Sequence, residues 1–514
     1  MSTAVAEPDR PTTRAAGGLR RNALGFPPLL AQGVAAISPT MTAVLIIPLA
    51  FGDAGEGTWA AYLFGTIMLL FVVGGLNQFA RRSTTAGSMY AYTARGLGPV
   101  AGVLSGWTLM WSYMFIAIAG LSGFAVFSAQ LVASLGIHST VTPFAFFLLS
   151  GLTCVAIAWK DIRLSSLLTL LFEGLSVACI LSLAGVVLFK HGVSIDSAQT
   201  SLKGVTFKGM DFAIVICIFS LVGFESATAL GGEAKNPLRT VPRAVIWSLL
   251  ITGAFMVVMS YVEVFATRQS GTSLGSITAP LTVIASLYHV TFFKIPVCLG
   301  AMVSFFSLTL SCLNAGARIA FPLGRHGYLP KVMHRVHAVN KTPHAALGIY
   351  GGVILTVALV LHASGTGAVT MFDDAGTLAA FGFLLAYFMI SIAAPFYLRK
   401  VGELRGRHVL VAVLAFACLL VPTIGSFYPA PPSPINLFPY IFLAYLVVGG
   451  SWLFVLNLRQ PGTIAGIEDD LEKTLEASIA AELEGSSDLA PAHGFGFTPA
   501  PTGAGMVASS ANPE

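Results

Sequence analysis

The chain has 514 residues, 55% of them hydrophobic and 10% charged, with a mean hydropathy of +0.80 and a formal net charge of +5. A water-soluble protein carries about a quarter charged residues, so this composition excludes a soluble globular protein and makes lipid the solvent. The charge is divided: the tail after Arg459 is acidic and the rest correspondingly more basic, a pattern of membrane topology rather than of nucleic-acid binding.

Residues 1–24 are polar and basic, with no short apolar core before a small-residue cleavage site, and are expected to form a cytoplasmic tail. A bilayer core of about 30 Å takes about 20 helical residues. On that ruler residues 25–457 form an all-α membrane domain of twelve spans. They lie near 29–51, 58–80, 99–128, 143–159, 164–189, 210–232, 244–266, 292–321, 345–362, 375–397, 408–427 and 436–457. Arg81, Arg82, Arg95, Lys160, Arg163, Lys235, Arg239, Arg243 and the basic residues of 325–341 and 399–407 fall on one side of that arrangement. Basic loops resist translocation, so that side and both termini are expected to be cytoplasmic, in the inner membrane. Residues 458–484 place Leu471, Leu475, Ile479 and Leu483 one turn apart among acids, an amphipathic acidic helix; residues 485–514 have the composition of a disordered tail.

Within span one, Ser38-Pro39-Thr40 interrupts an apolar run. Proline lacks an N–H and clashes with the carbonyl four residues back, while serine before proline suits the start of a helix. A half-helix is expected to begin there, eased by the small residues of Gln32–Ala36; a plain kink is the competing reading. In span five Glu173 lies near the midplane, either as a structural acid bonded to a neighbouring helix or as a proton carrier. In span six Ser220, Gly223 and Glu225 interrupt the middle. A mid-span carboxylate costs roughly 2.5–3.5 kcal/mol on insertion scales. Two interrupted spans at corresponding places in two halves are the best sequence pointer to a transporter's binding site.

Gly223-Phe224-Glu225, Glu233, Lys235-Asn236-Pro237, Arg239 and Pro242-Arg243-Ala244 together resemble the end of span six and the following loop in permeases of the amino acid–polyamine–organocation superfamily. Residues 86–99 look like that family's loop before span three, and residues 317–336 like its loop after span eight. The resemblance implies a leucine-transporter-like fold, a five-plus-five inverted repeat with spans one and six broken and a site between spans one, three, six, eight and ten. It implies that Phe219 caps the substrate and that carbonyls of the broken spans hold its ammonium group. One departure is that Ser38-Pro39 stands where such permeases usually have Gly-x-Gly, and Pro39 offers no N–H.

The candidate substrate site is therefore Ile37, Ser38, Pro39, Thr40, Phe219, Ser220, Val222, Gly223, Trp111 and Ser304, with Ser112, Tyr113, Ser307 and Tyr387 as pocket-lining or packing residues. Glu173 is the expected proton carrier and Glu225 the link to a cytoplasmic gate. Glu233 pairing with Lys235 and Arg239 is a possible latch, the alternative being that both cations are ordinary positive-inside charges. The expected function is a secondary transporter of amino acids or small amines, as proton-coupled uptake or as exchange, with a non-transporting membrane receptor or enzyme as the more distant alternative. No cofactor is expected beyond a coupling ion, a proton by preference with sodium open; the partners are the solute and the bilayer, and a monomer or a homodimer is equally open. The six cysteines sit in apolar runs without ligand spacing, the histidines fall in loops or at span ends, and no phosphate-binding G-x-x-x-x-G-K-[ST] loop occurs, which argues against an enzyme or an ATP-driven pump.

Overall fold

The computed structural model describes residues 19, 22–83, 89–135, 143–191, 195–268, 271, 273–277, 279–428, 433–460 and 466–467. The expectations for residues 1–18, for nearly all of the acidic helix at 458–484 and for the tail at 485–514 lie outside them. In lipid each backbone N–H and C=O must find its partner inside its own segment, which makes helices the default. Among the described residues the chain is helical apart from one isolated bridge, Leu24 to Ala234.

The elements run α1 Phe26–Ile37, α2 Pro39–Met41, a π turn Thr42–Ile46, α3 Ile47–Ala54, α4 Thr58–Ala80, α5 Met89–Leu97, α6 Pro99–Ser134, α7 Pro143–Lys160 and α8 Ile162–His191. They continue as α9 Ser197–Thr200, α10 Phe207–Leu221, α11 Ser226–Ala229, α12 Pro237–Thr267, α13 Pro280–Leu287, α14 Lys294–Arg325, α15 His344–Ala363, α16 Ala368–Lys400, α17 Gly406–Gly425 and α18 Phe438–Arg459.

Eleven helical segments are long and apolar enough to cross a membrane, because the first two expected spans form one run of 55 residues, Phe26–Ala80. Gly55, at φ 54° and ψ −122°, interrupts that run, and α10 packs against both arms, α3 and α4. Two expectations change. Residues 86–99, read as a loop, contain α5, whose Tyr90 and Tyr92 are buried; backbone held inside the protein must bond to itself, and a helix does that. The loop expected from 317 is helical to Arg325 as the end of α14.

The centre of the molecule is α6 packed against α14 and α16. α7, α17 and α18 lie outside it and leave large apolar side chains such as Leu149, Leu410, Val447 and Phe454 uncovered, as lipid contact demands. Helix α8 is two-faced at helical spacing: Leu167, Leu171 and Leu175 are exposed, while Ser166, Thr169, Glu173 and Ser176 are buried. That division turns Glu173 towards the interior.

Candidate functional site

Both expected interruptions are present. α1 ends at Ile37, Ser38 adopts the left-handed conformation at φ 54° and ψ 74°, and Pro39 opens the next helical turn. The break is tighter than expected, because Gln32–Ile37 stay helical and one residue carries it. Ser38 does not cap α2 with its side chain; its Oγ lies 3.1 Å from Ser304 Oγ on α14 instead. In the second break α10 stops at Leu221, Val222 is extended, Gly223 takes φ 103° and α11 resumes at Ser226. The two breaks touch. A Cβ on Gly223 would sit 2.7 Å from the Ala36 carbonyl oxygen, so only glycine lets the two backbones meet. Ser226 Oγ donates to Gln32 O at 3.1 Å, and Pro39 leaves the Ala35 carbonyl without its helical donor.

Each break has its own buried glutamate. Glu173 on α8 accepts from Ser304 Oγ at 2.6 Å, from Thr40 Oγ1 at 3.3 Å and from the Thr40 backbone N–H. It therefore supplies from a neighbouring helix the acceptor that the start of α2 lacks, where a negative charge complements the exposed N–H groups. Thr40 Oγ1 also lies 2.8 Å from Ser176 Oγ. Glu225 accepts from Tyr113 OH of α6 at 2.7 Å and from Tyr387 OH of α16 at 2.5 Å. The Gly223 N–H donates to Tyr387 OH at 3.2 Å, and Tyr387 stacks on Phe224 at 5.2 Å between centroids.

The structure thus brings together Ile37, Ser38, Pro39, Thr40, Val222, Gly223, Ser304, Glu173, Glu225, Tyr113 and Tyr387. Ser220 is buried and bonded to its own helix at Ile216 O, and Phe219 is half-buried at the end of α10. Ser307 is buried one turn from Ser304 with its hydroxyl unpartnered among the described residues. Trp111 is tied elsewhere, donating to Leu378 O at 2.7 Å and packing on Phe442 and Tyr445. Ser112 bonds back to Thr108 O.

The latch differs from expectation. Glu233 is paired with Arg318 of α14 at 2.5 Å, both side chains buried, whereas Lys235 and Arg239 are exposed. Arg318 also donates to Asn314 Oδ1 at 3.2 Å, and Asn314 Nδ2 to Ser165 Oγ at 2.7 Å. The backbone of Glu233 accepts from Ala23 N at 2.8 Å and Leu24 N at 3.0 Å. The sequence reading passed over Gln32, Arg318 and Asn314. Gln32 Nε2 donates to Ser311 O at 2.8 Å, locking α1 to α14. The available signal was Ser304, Ser307, Ser311, Asn314 and Arg318, a polar stripe at alternating three- and four-residue spacing on one helix face.

The family profile described as amino acid permease matches residues 32–451. The chain is 22% identical over 421 residues to branched-chain amino acid permease BcaP of Bacillus subtilis, covering 79% of this chain and 83% of that protein. It is 27% identical over 395 residues to the protein of the same name from Lactococcus lactis, covering 73% and 81%. It is 24% identical over 400 residues to the low-affinity putrescine importer PlaP of Escherichia coli, covering 74% and 82%. These are transporters rather than enzymes. With the matched stretch running from within α1, through both breaks and into α18, the chain belongs to the amino acid permease family.

Proposed function

We propose that the chain is a proton-coupled uptake permease for amino acids or related small amines, working by alternating access across the cytoplasmic membrane. Its architecture is twelve spans in a leucine-transporter-like five-plus-five inverted repeat with both termini cytoplasmic. The observation that carries this reading is the contact between two breaks, each facing a buried glutamate. Half-helix N-termini attract anions and free C-terminal carbonyls attract cations, so the meeting point suits a small solute with an ammonium group. Relatives named for branched-chain amino acids and for putrescine support that class.

Glu173 suits the coupling role because its carboxylate joins α8, the restart at Thr40 and α14 at once. A proton on that carboxylate converts an acceptor into a donor and loosens the set. The Arg318–Glu233 pair and the backbone bonds from Ala23 and Leu24 close the cytoplasmic end beneath the breaks.

Purified protein in liposomes tests the reading. Counterflow of labelled branched-chain amino acids or putrescine, and accumulation driven by an inward proton gradient, are expected; tracer movement of none of a full panel of amino acids and amines would overturn it. E173Q should abolish proton-driven accumulation while leaving exchange of labelled substrate. Full-rate accumulation in that variant makes Glu173 structural. S38L should weaken substrate binding severalfold, since the hydroxyl facing Ser304 is lost and a larger side chain is forced into a fully buried position at the break.

A further inference from the structure

A third glutamate lies inside a spanning helix and belongs to neither break. Glu263, on α12 near its end at Thr267, has no exposed surface, and both its carboxylate oxygens lack a hydrogen-bond partner among the described residues. Its chain neighbours Val262, Val264, Phe265 and Ala266 are buried and apolar. Tyr62 of α4, also fully buried, is in electrostatic contact with it and turns its hydroxyl towards Cys217 and Ser220 of α10. The other ionisable groups of the region are engaged elsewhere. Arg268 pairs with Asp196 and Glu56, the Tyr261 hydroxyl holds the Asp196 N–H, Glu173 is held from α2 and α14, and Glu225 by its two tyrosines.

An ionised carboxylate without a donor is not maintained in an apolar interior; the group is neutralised by a proton or by a bound cation. An alkali or divalent cation needs several oxygen ligands converging on it. Here the neighbours include a phenol, past it a thiol and a hydroxyl already bonded to Ile216 O, and one turn away on α12 the Ser260 and Thr267 hydroxyls, which donate to Val257 O and Glu263 O; among the described residues no cluster of three or more metal-ligating acids, histidines or cysteines exists. A proton asks only for the carboxylate itself. We propose that Glu263 is a separate proton-binding site of this protein, occupied in the conformation described and placed behind α10, the half-helix that precedes the second break. Ser220, which borders that break, and Tyr62 connect it to the substrate region, so a movement of α10 would change what surrounds the acid.

Infrared difference spectroscopy of the purified protein in lipid nanodiscs at neutral pH tests the site directly. The C=O stretch of a protonated carboxylic acid is expected at the high-frequency edge that marks an acid with no hydrogen bond. It should shift on exchange into heavy water, be absent from E263Q and persist in E173Q and E225Q, whose native carboxyls are hydrogen-bonded. Absence of that band from the native protein, its survival in E263Q, or its conversion to carboxylate bands on adding sodium or potassium would overturn the proposal. If E263Q does not fold, the native band and its displacement in Y62F decide the matter. The readout needs no transport, so its failure and that of the permease reading are separate events.

Discussion

Arg318 has no exposed surface at all and one carboxylate to answer its charge, that of Glu233. Removing one partner of a buried pair strands the other, at about 3–5 kcal/mol, whereas replacing both with apolar groups is often neutral. R318M should therefore lower the unfolding temperature sharply and R318M/E233L should restore most of it, measured as a double-mutant cycle in thermal unfolding. A loss in the double variant equal to the sum of the R318M and E233L losses would show that the pair is not coupled. Y387F removes a donor to Glu225 and the acceptor of the Gly223 N–H together. A buried group left unsatisfied costs about 1–3 kcal/mol, and substrate affinity should fall with stability, read by ligand-induced thermal shift. At this scale the sequence is half legible. Glu173 and Glu225 stand out because a charge in an apolar run is expensive. Arg318 does not, because it lies where span and basic loop merge, and its partner is 85 positions away. Glu263 stays silent for a related reason: it sits near the end of its span with no glycine, proline or serine beside it.

The elements that matter most are two helices that stop halfway, and both stops were legible: proline after serine in one, and Ser220, Gly223 and Glu225 within an apolar run in the other. Their mutual contact was not, since no local pattern says which carbonyl approaches which glycine. G223A puts a methyl group against the Ala36 carbonyl and a side chain at φ 103°. It should push the breaks apart, abolish counterflow and cost about 1–3 kcal/mol of stability. G174A, one residue past Glu173, meets nothing within 4 Å and is the matched control; it should retain counterflow and the native unfolding temperature. Equal behaviour of the two variants would remove the contact from the mechanism. Span positions were readable to within about seven residues at either end, the largest departures being the starts of α12 and α16 and the end of α6, because twenty apolar residues leave little freedom in lipid. The buried helix α5 was missed because its tyrosines and threonine read as polar.

For the whole molecule the sidedness of charge is the testable property. Introduced cysteines at Arg405 and Lys203, both exposed, should be labelled by a membrane-impermeant maleimide from opposite faces, R405C from the cytoplasm and K203C from outside. Labelling from the same side would invert or break the topology. Outside the spans an ion pair joins Asp196, between α8 and α9, to Arg268 at the end of α12 and adds a pH dependence. Burial pushes the Asp196 carboxyl up, but Arg268 at 2.6 Å, Gln199 at 3.0 Å and the Ala198 N–H outweigh it and hold the group below the ordinary aspartate value. Stabilisation from a depressed carboxyl is complete above its unfolded value, about 4, and is lost as pH falls through the folded value. Thermal melts should thus weaken on the acid side of pH 4 in the native chain and less steeply in D196N.

The short pairing of Ala23 and Leu24 with Glu233, returned by Lys235 N to Leu24 O at 2.7 Å, stitches the residues that lead into α1 to the turn that follows α11. Neither segment is then free to swing alone, so any parting of the chain at this end has to carry both as a double leaf.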